Sequence, residues 1–235
     1  MRLLLEFLCR FGWGLALGLV ATPAAVVPGG FFRVNLLVVM GLATFAALVA
    51  PTAAPGGTWL LPATAAVAAW MGSVAWFGER RRAGMVLSAA CAAALAAAVA
   101  VLAAGPWAMA AALVSGLVTG LTVHAMLLGH WYLNAPGMRV DALRRMIDLA
   151  LMAWAAQVAL AVGGLLPWRP PADAATGALL SLRWLAGLVG LPVLLVMARR
   201  TLEIPNTQSA TGILYVACLA AILGELTAQL LAAAA

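Results

Sequence analysis

The sequence is short of charge and contains no lysine. Charged residues make up 9% of its 235 residues, whereas 66% are hydrophobic, and the mean hydropathy is +1.09. Because a soluble domain is about 25% charged, this composition excludes an ordinary soluble protein and indicates a polytopic membrane protein. The net charge of +6 comes from arginines. No segment combines those arginines with aromatic platforms for bases, so we expect no nucleic-acid partner.

Cysteine and histidine are also scarce. The three cysteines are isolated in apolar stretches and form no Cys-x-x-Cys pair, so neither a disulfide framework nor a zinc site is indicated. The first residues lack the cleavage features of a secretory signal, and we expect the first hydrophobic segment to be retained. The sequence contains no catalytic constellation and no metal-ligand cluster. We therefore expect no enzymatic activity of the chain's own.

Long hydrophobic stretches dominate the chain. Eight of them reach the length of about 20 apolar residues that a membrane-spanning helix needs, and short loops rich in proline and glycine separate them. We predict an all-α, polytopic transmembrane bundle that forms one integral membrane domain over residues 1–235. The predicted spans, with ends placed to about 2–4 residues, are 5–27, 34–51, 58–77, 84–104, 107–133, 143–166, 177–198 and 211–234.

Most of the arginines lie in alternate gaps between these spans. Basic residues close to a span stay in the cytoplasm, which predicts that the arginine-rich gaps are cytoplasmic. With an even number of spans, both termini then lie outside the cytoplasm, and we predict a multi-pass protein of the bacterial inner membrane with periplasmic termini. The nine arginines in these gaps are Arg33, Arg80, Arg81, Arg82, Arg139, Arg144, Arg145, Arg199 and Arg200.

The chain has features of a tandem duplication of a four-span unit, with halves 1–104 and 105–235. Span 1 contains Gly14-x-x-x-Gly18, and span 5 contains Gly116-x-x-x-Gly120. Small residues at this spacing let helices approach closely, so both pairs are candidates for tight crossings. Chance similarity in a sequence rich in alanine, glycine and leucine is the alternative.

Ionisable residues inside the spans are costly, by about 2.5–3.5 kcal/mol each on insertion scales. In the outer layer, Glu6 and Arg10 are spaced i,i+4, which predicts an ion pair. Arg183 of span 7 and Glu225 of span 8 lie at similar predicted depth, and we predict that they pair. We expect these four charges to hold helices together and not to serve transport or a proton relay, because buried charges need balancing partners.

A group of polar and aromatic residues lies at the inner end of span 5 and on spans 6 and 8. A quinone head group needs one or two hydrogen-bond partners in an aromatic and aliphatic slot near the membrane surface. A lipid head group would suit the same place. The alternatives are an aromatic belt at the membrane interface and an Asp148–Arg144 pair at i,i+4. The candidate residues are His124, His130, Trp131, Tyr132, Asn134, Asp148 and Tyr215.

The histidine spacing argues against haem. His124 and His130 are six residues apart, so their rings point about 120° apart on one helix and cannot ligate one haem from opposite faces. A haem with one histidine and one methionine, or with a ligand from another subunit, is left open. Quinone is therefore the cofactor that the sequence favours.

Two functions of different classes fit these features. The first is a subunit of a larger inner-membrane complex, energy-transducing or electron-transferring, that contacts lipid and other membrane subunits. Eight spans in two halves are similar in architecture to the quinone-handling membrane subunits of the polysulfide-reductase type, although none of that family's motifs is matched. The alternative is a small-solute transporter or channel, for which Pro23 and Pro192 would mark broken helices. A membrane-embedded enzyme comes third.

Overall fold

The structure, a computed structural model, describes residues 1–54, 56–135, 138–163, 173–204 and 206–234. These residues form helices and turns and include no strand. Eight helices are long and apolar enough to cross a membrane, which confirms the all-α, multi-pass membrane class. They are α1 (Arg2–Ala21), α2 (Gly29–Ala53), α3 (Leu60–Phe77), α4 (Arg81–Leu102), α5 (Pro106–Asn134), α6 (Asp141–Gly163), α7 (Ala174–Thr201) and α8 (Thr207–Ala234).

Helix ends follow local backbone chemistry. α1 begins at Arg2 and ends at Ala21, whereas the predicted span ran over 5–27. Thr22 is extended, with ψ 127°, because a residue that precedes a proline avoids the helical region. Pro23 therefore ends a helix and does not break a span. At the start of α5, Gly105 has φ +99°, a conformation that favours glycine.

α7 changes helix type in its middle. Residues Arg183–Gly190 are π-helical, between the α-helical segments Ala174–Leu182 and Leu191–Thr201. Pro192 lies just after the π segment, inside the continuous helix, where it removes one backbone hydrogen bond from the helix. Short π segments are rare and are frequent at functional sites, so this stretch marks a region of interest. At the outer start of α7, the Asp173 carboxylate accepts a hydrogen bond from the Thr176 backbone N–H, which lowers the pKa of Asp173.

The helices pack as two rings of four. In the first ring, α1 contacts α2 and α4, and α3 lies between α2 and α4. In the second ring, α5 contacts α6 and α8, and α7 lies between α6 and α8. The main joint between the rings is the pair α1 and α5. Sequential helices are antiparallel, so the chain begins and ends at the same end of the bundle. We call it the terminal end, and the opposite end, which carries the nine loop arginines, the arginine end.

The α1–α5 joint depends on backbone-to-backbone contact between glycines. A Cβ added to Gly14 would overlap the Gly116 carbonyl, and one added to Gly120 would overlap the backbone of Gly14. A Cβ on Gly116 would overlap the carbonyl of Arg10. Gly18 faces the His124 ring. Both predicted glycine pairs therefore lie at one tight helix crossing, where the pair on α1 packs against the pair on α5.

The core is aromatic near the arginine end of the first ring. Phe32 stacks on Trp76 with ring centroids 4.2 Å apart, and Phe31 meets Phe32 edge to face. Large apolar side chains on the outer faces of α2 and α3 are exposed, as a lipid-facing surface requires. They include Phe45, Leu48, Val67, Trp70, Val74 and Phe77.

Candidate functional site

One polar pair faces outward at the arginine end. The Tyr215 hydroxyl of α8 lies 3.1 Å from Nδ1 of His130 on α5, and both side chains are exposed. The two helices are close there because Gly129 leaves room for the Thr211 side chain, one turn before Tyr215. The pair is held across two helices and accessible from the bundle surface.

The other members of the predicted slot point elsewhere. Trp131 meets Phe31 edge to face, with centroids 5.8 Å apart. Tyr132 is buried, and its hydroxyl donates to the Arg139 carbonyl. Successive helical residues point about 100° apart, so residues 130–132 cannot share one side of α5. Asn134 ends α5, and its side chain lies outside the described residues.

His124 is a core residue. Its ring is fully buried, 5.3 Å from the Phe31 ring centroid, and its Nε2 lies 2.7 Å from the Thr22 hydroxyl. The Thr22 hydroxyl also lies 2.8 Å from the Gly18 carbonyl, so it links the His124 ring of α5 to the last turn of α1. His124 and His130 therefore do not form one site.

Asp148 pairs across helices and not along its own. Its carboxylate accepts a hydrogen bond from Nε of Arg199 on α7 at 2.8 Å. Arg144, the partner suggested by the i,i+4 spacing, instead donates to the Leu202 carbonyl. The Asp148–Arg199 contact joins the arginine ends of α6 and α7, and it is separate from the His130–Tyr215 pair.

The outer charges form a chain that differs from the predicted one. The expected Glu6–Arg10 pair is present at 2.9 Å, and Arg2 also binds Glu6 at 2.9 Å. Arg10 reaches further, to Glu225 at 3.1 Å. The predicted Arg183–Glu225 pair is wrong, because α1 brings Arg10 to this carboxylate. Helix adjacency of this kind cannot be read from the spacing within α7 and α8.

Glu225 is the most deeply buried carboxylate of this chain of charges, at 2% exposure. Its Oε1 accepts hydrogen bonds from Arg10 and from the Gln229 amide one turn later. Its Oε2 has no hydrogen-bond partner among the described residues. Arg183 attracts Glu225 electrostatically but does not approach it within the 4.0 Å of an ion pair.

A cavity of about 320 Å³ lies beside these charges, on the terminal side of the bundle. It is bounded by α5, α6 and α7, with α8 and Arg10 of α1 behind it. Neither its volume nor its lining is predictable from the sequence, although Arg10 and Arg183 of its wall are predicted ion-pair residues. Its lining residues are Arg10, Trp107, Ala108, Ala111, Ala112, Ser115, Gln157, Leu160, Ala161, Leu180, Arg183, Trp184, Leu188, Ala228 and Ala232.

The described residues include no group of three or more histidines, cysteines or acidic residues that could hold a metal ion. Comparison with protein-family models, with curated proteins and with solved structures finds no match for the chain.

Proposed function

We propose that this protein is a subunit of a larger inner-membrane assembly, of the energy-transducing or electron-transfer kind. In this role it offers a site for the polar head of a quinone or lipid at the arginine ends of α5 and α8. The observation that carries the proposal is the exposed His130–Tyr215 pair. An intramembrane or interfacial histidine is a functional candidate by default, and this one is turned toward the surroundings and not into the core.

The chemistry of the pair suits a carbonyl-bearing head group. When Nδ1–H of His130 donates to the Tyr215 oxygen, the Tyr215 hydroxyl keeps its single hydrogen for a ligand carbonyl. Apolar side chains flank it on the same exposed helix, Val216 at 52% and Leu219 at 63% exposure. A ligand that enters sideways from lipid would meet a donor at its head and apolar surface along its tail. A quinone has this form, and it would link the subunit to electron transfer.

The same proposal sets the orientation. We infer that the arginine end faces the cytoplasm of a bacterial cell, with both termini in the periplasm, because basic loops stay inside. The matching arrangement of the two rings and their shared glycine pairs support descent from a duplicated four-helix unit with halves 1–104 and 105–235.

The head-group site is tested by quinone binding to the purified protein in lipid nanodiscs. Tyr215→Phe removes one hydroxyl, and we expect ubiquinone affinity to fall about 3- to 10-fold, the value of one hydrogen bond. Tyr132→Phe is the matched control, since it removes the same group from a buried position that faces Arg139. Equal ubiquinone affinity in wild type and Tyr215→Phe would contradict the site.

The subunit role is tested separately by purification from native membranes in mild detergent. We expect stoichiometric partner polypeptides in the same band, with a reduced-minus-oxidised visible spectrum from their haem, flavin or iron–sulfur centres. A lone, colourless band would overturn the subunit proposal.

Small-solute transport is the second candidate, and the π-helical segment of α7 favours it. A helix that departs from α geometry beside a cavity is a feature of transport sites, and Leu188 of this segment lines the cavity. Swelling of proteoliposomes in glycerol or urea is the direct test. Swelling that is faster than in protein-free vesicles and is slowed by Ala111→Trp, which fills the cavity, would support transport over the subunit role.

A further inference from the structure

The cavity at the terminal side is formed because α6 and α7 separate. They meet where Nε1 of Trp154 donates to the Leu188 carbonyl at 3.1 Å, and α6 then packs against the Leu191–Thr201 segment toward the arginine end. Toward the terminal end the two helices diverge, and the space between them is lined by Gln157 of α6 and by Leu180 and Arg183 of α7. The cavity is thus a wedge that widens toward one membrane surface.

Among the described arginines near the cavity, Arg183 is the one that no carboxylate approaches within ion-pair distance, although Glu225 attracts it electrostatically. Arg2 and Arg10 hold Glu6, and Arg10 also holds Glu225. Among the described residues Arg183 makes no hydrogen bond and no ion pair, although its side chain is half-buried and lines the cavity. In this network of described residues, Arg2, Arg10 and Arg183 stand against Glu6 and Glu225, which leaves an excess of one positive charge beside the cavity.

A buried or half-buried charge needs a partner, and the usual partner of a guanidinium is a planar or tetrahedral oxyanion. Arg183 lies nine residues into α7, about 13 Å along the helix axis. That depth is within reach of a lipid head group and below the aqueous surface. Ser115 and Gln157 supply further polar atoms in the wall, and the Ser115 hydroxyl is buried without a partner.

The rest of the wall is apolar and aromatic. Trp107 and Trp184 line it together with alanines and leucines, and tryptophans of this kind sit at head-group level. The volume of about 320 Å³ is at the lower end of the range of ligand cavities, about 300–1,000 Å³. It holds a head group and the first part of a chain, while the remainder of an amphiphile would extend into lipid.

From these observations we propose that the cavity between α5, α6 and α7 binds the anionic head group of an amphiphile, with Arg183 as its charged ligand. The ligand class is a lipid-like molecule with a phosphate or carboxylate head, and the apolar wall selects it over a free anion. The site lies in the terminal half of the bundle, away from the His130–Tyr215 pair. The lipid-site proposal and the quinone-site proposal can therefore fail independently.

The test is native mass spectrometry of the detergent-purified full chain, titrated with phosphatidylglycerol, with phosphatidylcholine and with inorganic phosphate. We expect phosphatidylglycerol to bind more tightly than phosphatidylcholine, and phosphate alone not to compete. Arg183→Gln should weaken phosphatidylglycerol binding about 10- to 100-fold, the value of a charged hydrogen-bond pair. Arg183→Lys, which keeps the charge, should retain most of the affinity.

Two further variants separate the cavity from general lipid adsorption. Arg200→Gln removes an exposed arginine at the arginine end and should leave the affinity unchanged. Ala111→Phe fills the cavity while keeping Arg183, and should displace the lipid; Ala90→Phe, on an exposed face of α4, is its control. If Arg183→Gln does not fold, the Ala111 and Ala90 pair decides the outcome.

Three results would overturn the proposal. They are wild-type phosphatidylglycerol affinity in the cavity-filling Ala111→Phe variant, equal binding of phosphatidylcholine and phosphatidylglycerol, and displacement of the lipid by millimolar phosphate. Displacement by phosphate would mean that Arg183 binds a free anion and not a lipid head group.

Discussion

At the scale of single residues, the Thr22–His124 contact stabilises the interior of the bundle. Thr22→Val keeps the shape of the side chain but leaves Nε2 of His124 buried without its hydrogen-bond partner. We expect a loss of about 1–3 kcal/mol in the free energy of unfolding, the cost of an unsatisfied buried polar atom. Thermal unfolding in detergent measures it.

Thr22→Ser is the control for that prediction, because it keeps the hydroxyl and removes one methyl group. The destabilisation by Thr22→Val should also be smaller in a His124→Leu background, since the polar ring nitrogen is then gone. If Thr22→Val and Thr22→Ser unfold at the same temperature, the hydrogen bond does not carry this stability.

Residue-level predictions from i,i+4 spacing succeeded near the start of α1 and failed for Arg144 and Asp148, because Arg199 of α7 binds the Asp148 carboxylate. The Glu6–Arg10 pair follows from i,i+4 spacing and is present, and Arg2–Glu6 has the same spacing and could have been found in the same way. Partners on different helices could not be found. Arg199 for Asp148 and Arg10 for Glu225 depend on which helices are neighbours and on their rotation, and no periodicity in the sequence records either.

At the scale of helices, the α1–α5 crossing is the contact most sensitive to a single methyl group. Gly120→Ala would place a Cβ on the backbone of Gly14, which no rotamer change can relieve. We expect a destabilisation of at least about 1–3 kcal/mol, the usual cost of overpacking. Loss of monodisperse protein on size exclusion and a lower unfolding temperature would report it.

Gly41→Ala provides a matched control on α2. A Cβ there has no atom within 4 Å, so the same substitution should raise stability by about 0.5–1 kcal/mol through helix propensity. Similar behaviour of the two variants would show that close packing at Gly120 is not what holds α1 to α5.

Element positions were predictable because hydrophobic length and turn residues mark them. The spans other than the first begin and end near their predicted ends, except that the predicted end of the sixth, residue 166, lies outside the described residues. The prediction for the first span runs past Pro23 because its apolar residues continue to Val27. The π-helical stretch of α7 could not be predicted. Its sequence is apolar and ordinary. The predicted Arg183–Glu225 pair relied on similar depth alone, and depth does not determine which side of α7 Arg183 faces.

At the scale of the whole molecule, the inferred orientation makes a direct prediction. Alkaline phosphatase fused after residue 235 should be active in a bacterial host, and green fluorescent protein at the same place should be dark, since only the first folds in the periplasm. A fusion after Arg82, at the arginine end, should give the opposite pair of signals. Reversed signals at both sites would contradict the cytoplasmic assignment of the arginine loops.

The two-ring arrangement predicts that the chain can be divided. α4 and α5 are joined through Ala103–Gly105 and contact each other little, whereas α1 and α5 form the main joint between the rings. Residues 1–104 and 105–235, co-expressed as separate chains, should therefore assemble and co-purify on a tag carried by one of them. The contact from Trp13 to the Leu113 carbonyl lies within this joint, and the Arg10–Glu225 pair links α1 to α8 of the other ring, so both should strengthen the assembly.

Two substitutions in the second fragment sharpen this experiment. Gly120→Ala disrupts the crossing and should abolish co-purification, while Gly212→Ala, whose added Cβ meets nothing within 4 Å, should leave it intact. Co-purification that survives Gly120→Ala would mean that contacts other than the glycine crossing hold the halves together. Loss in both variants would point to a general defect of the fragment. We expect the two variants to differ because a single pair of helices, α1 and α5, makes most of the contact between two otherwise self-contained rings.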